Sequence, residues 1–436
     1  KNLRKIMIKR DIKTVLLLLV GLVTSFTFVA CDDDETDSNA DPVVRYFRPT
    51  DANKADSMIV NLSLGQTVAM IGENLDNIVG IKFNDQEVAL NPCYVTPTAI
   101  IFTTPVAIPG EVTNKLYFTC KNGKVVEYAT ETLLPEPSID NVSKGYLKAG
   151  DVVTIKGNYF IPTEDTPIEI TLPGGITVSP DASSTYTTLT FTVPEGITKS
   201  GSLSVESAFG ITNWPYEIFA YSDLQESNVE GLLFDFDGKN GAMETANGWR
   251  PGYPADPSVE LSGKACLFDN GGAELEGDLT GTWLEDNMTL NYWPSADDNI
   301  LTRVPVSNIE DYAYQLEIFV ENPWTAMCFA VQPTSLDVVS ASNMQNQYYN
   351  KVSSYLYEPY ISNPEFTTEG QWITLTMPLT EFTRTIEGKS SEGLSPSDLA
   401  GLTIRWAGAG SGDLTKVAKM QPKLYFDNVR LVKKKY

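Results

Sequence analysis

The 436-residue chain contains no histidine. That absence removes the commonest general base, the commonest transition-metal ligand and every Ser-His or Cys-His nucleophile pair, so any catalysis would have to run on carboxylates, lysine or tyrosine. Positive charge is scarce as well: 32 Lys and Arg face 56 Asp and Glu, for a formal net charge of −24. Nucleic acid or an anionic polysaccharide would approach against that field, and a neutral ligand would not. Cysteine is limited to 5 residues, and the spacings of Cys93, Cys120, Cys266 and Cys328 match no zinc motif. The first two fall in one expected domain and the last two in another. Pairing within each is open in an oxidising compartment, and buried free thiols are the preferred reading.

What is present near the start is an abrupt seam. A basic segment, "IKRDIK" from Ile8, leads into "TVLLLLVGLVTSFTFVA", and Cys31 then opens the acidic run Asp32, Asp33, Asp34, Glu35. Basic, apolar, then small is the order of a secretory signal. The apolar run sits at the lower limit for a membrane span, with no basic stop-transfer flank. Met7 is the expected start, and residues 1–30 the expected signal peptide. Val29-Ala30-Cys31 resembles a bacterial lipobox, which implies acylation of Cys31 as the first mature residue. The acids after it resemble a signal that sends Gram-negative lipoproteins to the outer face of the outer membrane. The alternative is an ordinary signal peptide with an incidental cysteine. Residues 31–41 are the expected acidic linker.

An internal repeat follows. "TVAMIGENLDNIVGIKFNDQEV", from Thr67, reads as an alternating strand, a Gly turn and a second strand closed by an Asn84-Asp85 hairpin. "DVVTIKGNYF", from Asp151, repeats that opening around Gly157, and "IFTTP" ending at Pro105 recurs as "TFTVP" ending at Pro194 at nearly the same offset. Each unit should close with an edge hairpin, at Asn122-Gly123 and at Phe209-Gly210. Short alternating strands at this spacing predict small β-sandwiches. Ile71-Gly72-Glu73-Asn74-Leu75, followed by "VGIKFN", resembles the IPT/TIG variety of immunoglobulin-like domain. The second copy, Ile155-Lys156-Gly157-Asn158-Tyr159-Phe160, has shorter spacing before its aromatic. Domains over 42–134 and 135–220 are expected, acting as spacers joined by the proline-bearing "LLPEPSID".

From residue 221 to 436, "YAYQLEIFVE", "WITLTMPL", "LTIRWAG" and "KLYFDNVRLV" alternate as strands between turn-rich loops, with no convincing amphipathic helix between them. The fold class is therefore all-β: two immunoglobulin-like sandwiches, then a larger jelly-roll-type sandwich, whose "LYFDNVRL" ending resembles the last strand of many carbohydrate-binding sandwiches. This half holds six of the seven tryptophans, and Trp406 shares parity with Leu402 and Ile404, which places it in the core. Trp372 is expected to cap the sandwich end. Trp249, Trp283, Trp293 and Trp324 stand beside Gly, Pro, Asp or Asn, where loops are expected. Such rings suit neutral sugars, because a flat indole desolvates the apolar C–H face of a pyranose with little loss of side-chain entropy. Amides such as Asn291 or Gln332 would select hydroxyl orientation. Asp235, Asp237 and Asp427-Asn428 could ligate Ca²⁺, but turn capping is the preferred reading and no cofactor is expected.

The whole layout, with the "NPW" and "FDN" contexts, resembles the surface glycan-binding protein B group of Sus-like (starch-utilisation-like) systems, especially members with a xyloglucan-binding terminal domain. The resemblance implies a non-catalytic, outer-membrane lipoprotein that holds a neutral polysaccharide, a β-glucan-type hemicellulose such as xyloglucan, beside a glycan transporter and surface hydrolases. It implies binding roles for Trp293 and Trp324, then Tyr292, Trp283, Tyr355 and Tyr357; Gln332 joins them as a candidate through the amide argument above. A carboxylate glycosidase or lyase, and a purely structural adhesin, are the alternatives.

Overall fold

The computed structural model describes residues 40–54, 56–90, 94–162, 166–239, 243, 252–276, 288–336, 351–407 and 419–436. Residues 1–39, including Cys31, lie outside the described residues, as do Cys93, Trp249, Trp283, Tyr348 and Tyr349. The chain divides after Pro135 into two units.

The first unit is a two-sheet sandwich. Val43–Pro49, Thr67–Glu73, Ala99–Thr103 and Tyr94–Val95 form one antiparallel sheet, and Gln86–Glu87, Ile78–Phe83, Lys115–Cys120 and Val125–Ala129 the other. Alternation along these strands sends Val68, Met70, Ile81, Phe83, Leu116 and Phe118 into one core. A short parallel pairing, Leu62–Ser63 with Thr132–Leu133, ties the ends.

The second unit opens with the same plan. Val152–Asn158 lies between Ser138–Val142 and Thr188–Thr192, while Glu169–Leu172 lies between Ile176–Val178 and Ser204–Ser207. Tyr146–Leu147 pairs in parallel with Phe219–Ala220, as its counterpart does in the first unit. The edge hairpin here turns at Ala208-Phe209, since Ser207 already pairs with Gly210; the Phe209-Gly210 expectation is one residue late.

The repeated glycine has a physical reason in both copies. Each lies beside a register shift in the partner strand, between Val44 and Tyr46 for Gly72 and between Ile139 and Asn141 for Gly157. A Cβ would stand 1.9 Å from the Val43 carbonyl oxygen at Gly72, and 1.9 Å from that of Ser138 at Gly157. No side chain fits without moving backbone. Gly72→Ala and Gly157→Ala are each expected to cost about 1–3 kcal/mol or more, as overpacking does, seen as a lower denaturation midpoint of the corresponding unit.

Beyond residue 221 the chain builds a jelly roll. One sheet has the order Pro254–Ala255, Ala265–Asp269, Lys423–Lys433, Tyr312–Val320, Ile373–Pro378, with Leu232–Phe234 also on Lys423–Lys433; the facing sheet runs Thr289–Tyr292, Gly401–Ala407, Cys328–Thr334, Tyr355–Tyr357. Successive strands repeatedly cross from one sheet to the other, and Leu290, Leu316, Ile318, Phe329, Ile404, Trp406 and Phe426 fill the space between. The outer face of the larger sheet carries the preceding immunoglobulin-like domain: Tyr146 and Phe219 pack with Trp372, Phe319 and Tyr425. Trp372 caps this junction, its indole N–H donating to the Val259 carbonyl at 2.7 Å. Cys120, Cys266 and Cys328 are free and buried, and burial pushes the Cys328 thiol up to about 12.

Candidate functional site

The four-stranded sheet sorts the sequence-chosen residues by parity. Leu290 and Tyr292, Phe329 and Val331, Leu402, Ile404 and Trp406 face the core, and Tyr355 and Tyr357 pack against it. Tyr292 is 1% exposed and packs on Phe234 at 5.5 Å between centroids, so it is a core ring. Tyr355 and Tyr357 are half-buried; Tyr355 contacts Phe382 at 5.7 Å, and burial pushes its phenol up to about 12. They line the inner face, which corrects their assignment to a binding surface.

Trp324 is corrected most firmly. It is 2% exposed, stands edge-on to Trp406 at 4.6 Å and to Tyr357 at 5.6 Å, and donates its indole N–H to the Met327 carbonyl at 3.0 Å. The Asn-Pro context does mark a turn, but the turn tucks under the sandwich. Trp293, immediately after the Thr289–Tyr292 strand, keeps partial exposure. Trp283 lies outside the described residues.

The opposite face of the same sheet joins an apolar patch, Cys328, Ala330 and Ala407 with Ile386, to a polar row. Asn291, Thr403, Gln332 and Ser354 form a row across its four strands: the Thr403 hydroxyl donates to Asn291 Oδ1 at 2.6 Å, and Gln332 Nε2 donates to Ser354 Oγ at 3.2 Å. Gln332 is fully buried, so it acts within this row and does not stand at the surface. Asn291 Nδ2 and Thr289 Oγ1, both buried, have no hydrogen-bond partner among the described residues.

At one end of this sheet opens a cleft of about 920 Å³, bordered by Pro333 to Ser335, Lys351 to Ser353 and Thr385 to Leu394. The strand ends explain its position: Thr334 closes one strand opposite Gly401, which opens the next, and Ser353 stands just before Tyr355–Tyr357. Pro294, next to Trp293, and Thr334 crowd Gly401 from two sides; a Cβ there would lie 2.6 Å from Pro294 Cδ and 2.6 Å from Thr334 Oγ1. The glycine thus lets the Trp293 turn and the cleft wall converge. The sequence reasoning missed this cleft, because it followed aromatics and the lining is rich in Ser and Thr. Closely spaced hydroxyls in "GKSSEG" were the signal that could have found it.

Buried carboxylates are committed elsewhere. Glu317 is paired with Arg430 at 2.7 Å, and Glu358 with Arg384 at 2.6 Å. Asp235 accepts backbone N–H groups of Asp237, Gly238 and Lys239, the turn-capping role expected of it. Asp427 accepts from the Ser262 hydroxyl at 2.6 Å, and desolvation raises its pKa well above the usual carboxylate range. No group of three or more His, Cys, Asp or Glu is placed to hold a metal among the described residues.

A jelly roll packed against one immunoglobulin-like domain, with its buried acids ion-paired or hydrogen-bonded, has the form of a modular binding protein. Residues 226–433 match the family described as surface glycan-binding protein B xyloglucan binding domain, and residues 137–214 match the IPT/TIG domain. These matches liken the chain to the surface glycan-binding protein B group. It is similar over 91% of its length, and 99% of the other chain, to the crystal structure of surface glycan-binding protein PbSGBP-B from Prevotella bryantii, at 26% identity and a TM-score of 0.63. An IPT/TIG domain-containing protein of Bacteroides ovatus is 31% identical over 207 residues, 44% of this chain; the match spans 42% of that relative's length.

Proposed function

We propose that the chain captures a neutral polysaccharide at the cell surface through its terminal jelly roll, without cleaving it. The match of residues 226–433 to the xyloglucan binding domain carries this reading. A net charge of −24 favours a neutral ligand over an anionic one. The finer reading is a lipoprotein acylated at Cys31, displayed on the outer membrane beside a glycan transporter and surface hydrolases. The immunoglobulin-like domains would then hold the jelly roll away from the lipid.

Calorimetry on the mature chain with xyloglucan and mixed-linkage β-glucan is expected to show saturable binding, and no release of reducing ends on prolonged incubation. Trp293→Ala is expected to weaken binding by about 1–2 kcal/mol, the value of the apolar ring surface that a sugar would cover, with little change in melting temperature. Absence of binding to any neutral glycan, or sustained turnover, would overturn the proposal.

A further inference from the structure

The two immunoglobulin-like domains match hydrogen bond for hydrogen bond around the repeated glycine. In the first, the Gly72 N–H donates to the Thr98 carbonyl at 3.0 Å and the Leu75 N–H to that of Pro97 at 2.9 Å; in the second, the Gly157 N–H donates to the Thr187 carbonyl and the Phe160 N–H to that of Tyr186, both at 3.0 Å. Asn74 therefore corresponds to Tyr159, and Pro97 to Tyr186. The residue two past each glycine holds a left-handed backbone, with φ 53 at Asn74 and φ 60 at Tyr159. Asparagine tolerates that region, and a bulky aromatic does not. The second domain carries strain that the first avoids.

That strain serves no packing role. Tyr159 is partly exposed and stays outside the core cluster of its domain, and Tyr186 is 50% exposed. Neither tyrosine side chain has a hydrogen-bond or ring partner among the described residues. Packing falls to the next residue, Phe160, which is 1% exposed. A strained residue that the fold does not use points to a task at the surface.

The bond from Phe160 to Tyr186 sets the two tyrosines on adjoining loops at one end of the sandwich. Around them the chain is neutral and rich in hydroxyls: Ser183, Thr185 and Thr187 are exposed, and residues 183–188 hold no charge. Rings to cover C–H faces, with hydroxyls to meet hydroxyls, suit a neutral sugar. The pair also stands away from the jelly roll. Ser143 and Gly145 bond to Thr374 beyond one end of the Ser138–Val142 strand, whereas Asn158 pairs with Ser138 at the other, about 17 Å along at 3.4 Å per residue.

Resting on the polysaccharide reading above, we propose that Tyr159 and Tyr186 form a second contact for the same neutral polysaccharide, on the immunoglobulin-like domain. A polymer long enough to touch both this pair and the jelly roll gains avidity from it, and a short oligosaccharide does not. The test measures calorimetric affinity of the whole mature chain for polymeric xyloglucan and for a single-repeat xyloglucan oligosaccharide, with melting temperature alongside. Tyr159→Asn and Tyr186→Ala are each expected to weaken polymer binding about three- to tenfold, the range for one lost aromatic contact, and to leave oligosaccharide affinity unchanged. Tyr186→Phe keeps the ring and should keep the affinity. Tyr159→Asn should also melt at the wild-type temperature or higher, because the first domain uses asparagine at this position. Unchanged polymer affinity in both variants, an equal loss on both probes, or a lower melting temperature for Tyr159→Asn overturns the second contact and leaves the proposed function standing. A wild-type chain that binds neither probe overturns both.

Discussion

Trp324→Ala is expected to destabilise the jelly roll by about 3–5 kcal/mol, the range for emptying a core position of a large aromatic. The indole stands edge-on to Trp406, Phe329, Tyr357 and Phe366, and its removal strips one packing surface from each of them. It also leaves the Met327 carbonyl without its 3.0 Å donor. Met327 itself holds a left-handed backbone (φ 66), so the turn it belongs to depends on the ring that covers it. Chemical denaturation of the wild-type and variant chains measures the effect, and a loss below about 1 kcal/mol would show that the indole is not a core element. Trp293→Ala provides the contrast, since it should weaken glycan binding while leaving stability nearly intact. The two tryptophans looked alike in the sequence, and these variants separate them by opposite readouts.

That contrast shows where the sequence speaks and where it stops. Alternation is a local property, so strands such as Val152–Asn158 and Gly401–Ala407 could be read from their own residues, Trp406 included. The repeat was readable because a glycine opposite a strand irregularity leaves the same mark in both copies. Trp324 was misread because its neighbours, Asn322 and Pro323, report a turn and say nothing about which way the turn packs. Its indole partner is a carbonyl three residues along, a pairing invisible to periodicity. Tyr355 and Tyr357 show the reverse failure: "YLY" alternates plainly, but either face of a strand could have been the inner one until its partner, Cys328–Thr334, settled the parity. The cleft depends on four strand ends and a distant arm meeting in space, so no single stretch of sequence announces it.

Glu317→Ala is expected to cost about 3–5 kcal/mol, because it strands the Arg430 guanidinium without a counter-charge in the protein interior. Both side chains are fully buried. The pair is bidentate, at 2.7 and 2.8 Å, and Arg430 Nε also donates to Gln315 Oε1 at 3.1 Å. From Glu317 the network continues outward: its Oε1 accepts the Thr374 hydroxyl at 3.0 Å, and Thr374 Oγ1 accepts the Gly145 N–H at 2.6 Å. Gly145 belongs to the preceding immunoglobulin-like domain, whose Phe219 ring lies 5.2 Å from the guanidinium. The ion pair therefore sits under a junction between two domains, and Gly145 can carry no side chain there, since a Cβ would stand 2.9 Å from Arg430 Nη2. Because the pair is shared, Glu317→Ala should loosen the junction as well as the sheet. Wild-type residues 136–436 are expected to melt in one calorimetric transition, and the variant in two. Replacing both partners together, Glu317→Leu with Arg430→Met, should recover much of the loss, because no buried charge is left unpaired. Two transitions in the wild type, or a single variant as stable as the double, would show that the network does not couple the domains.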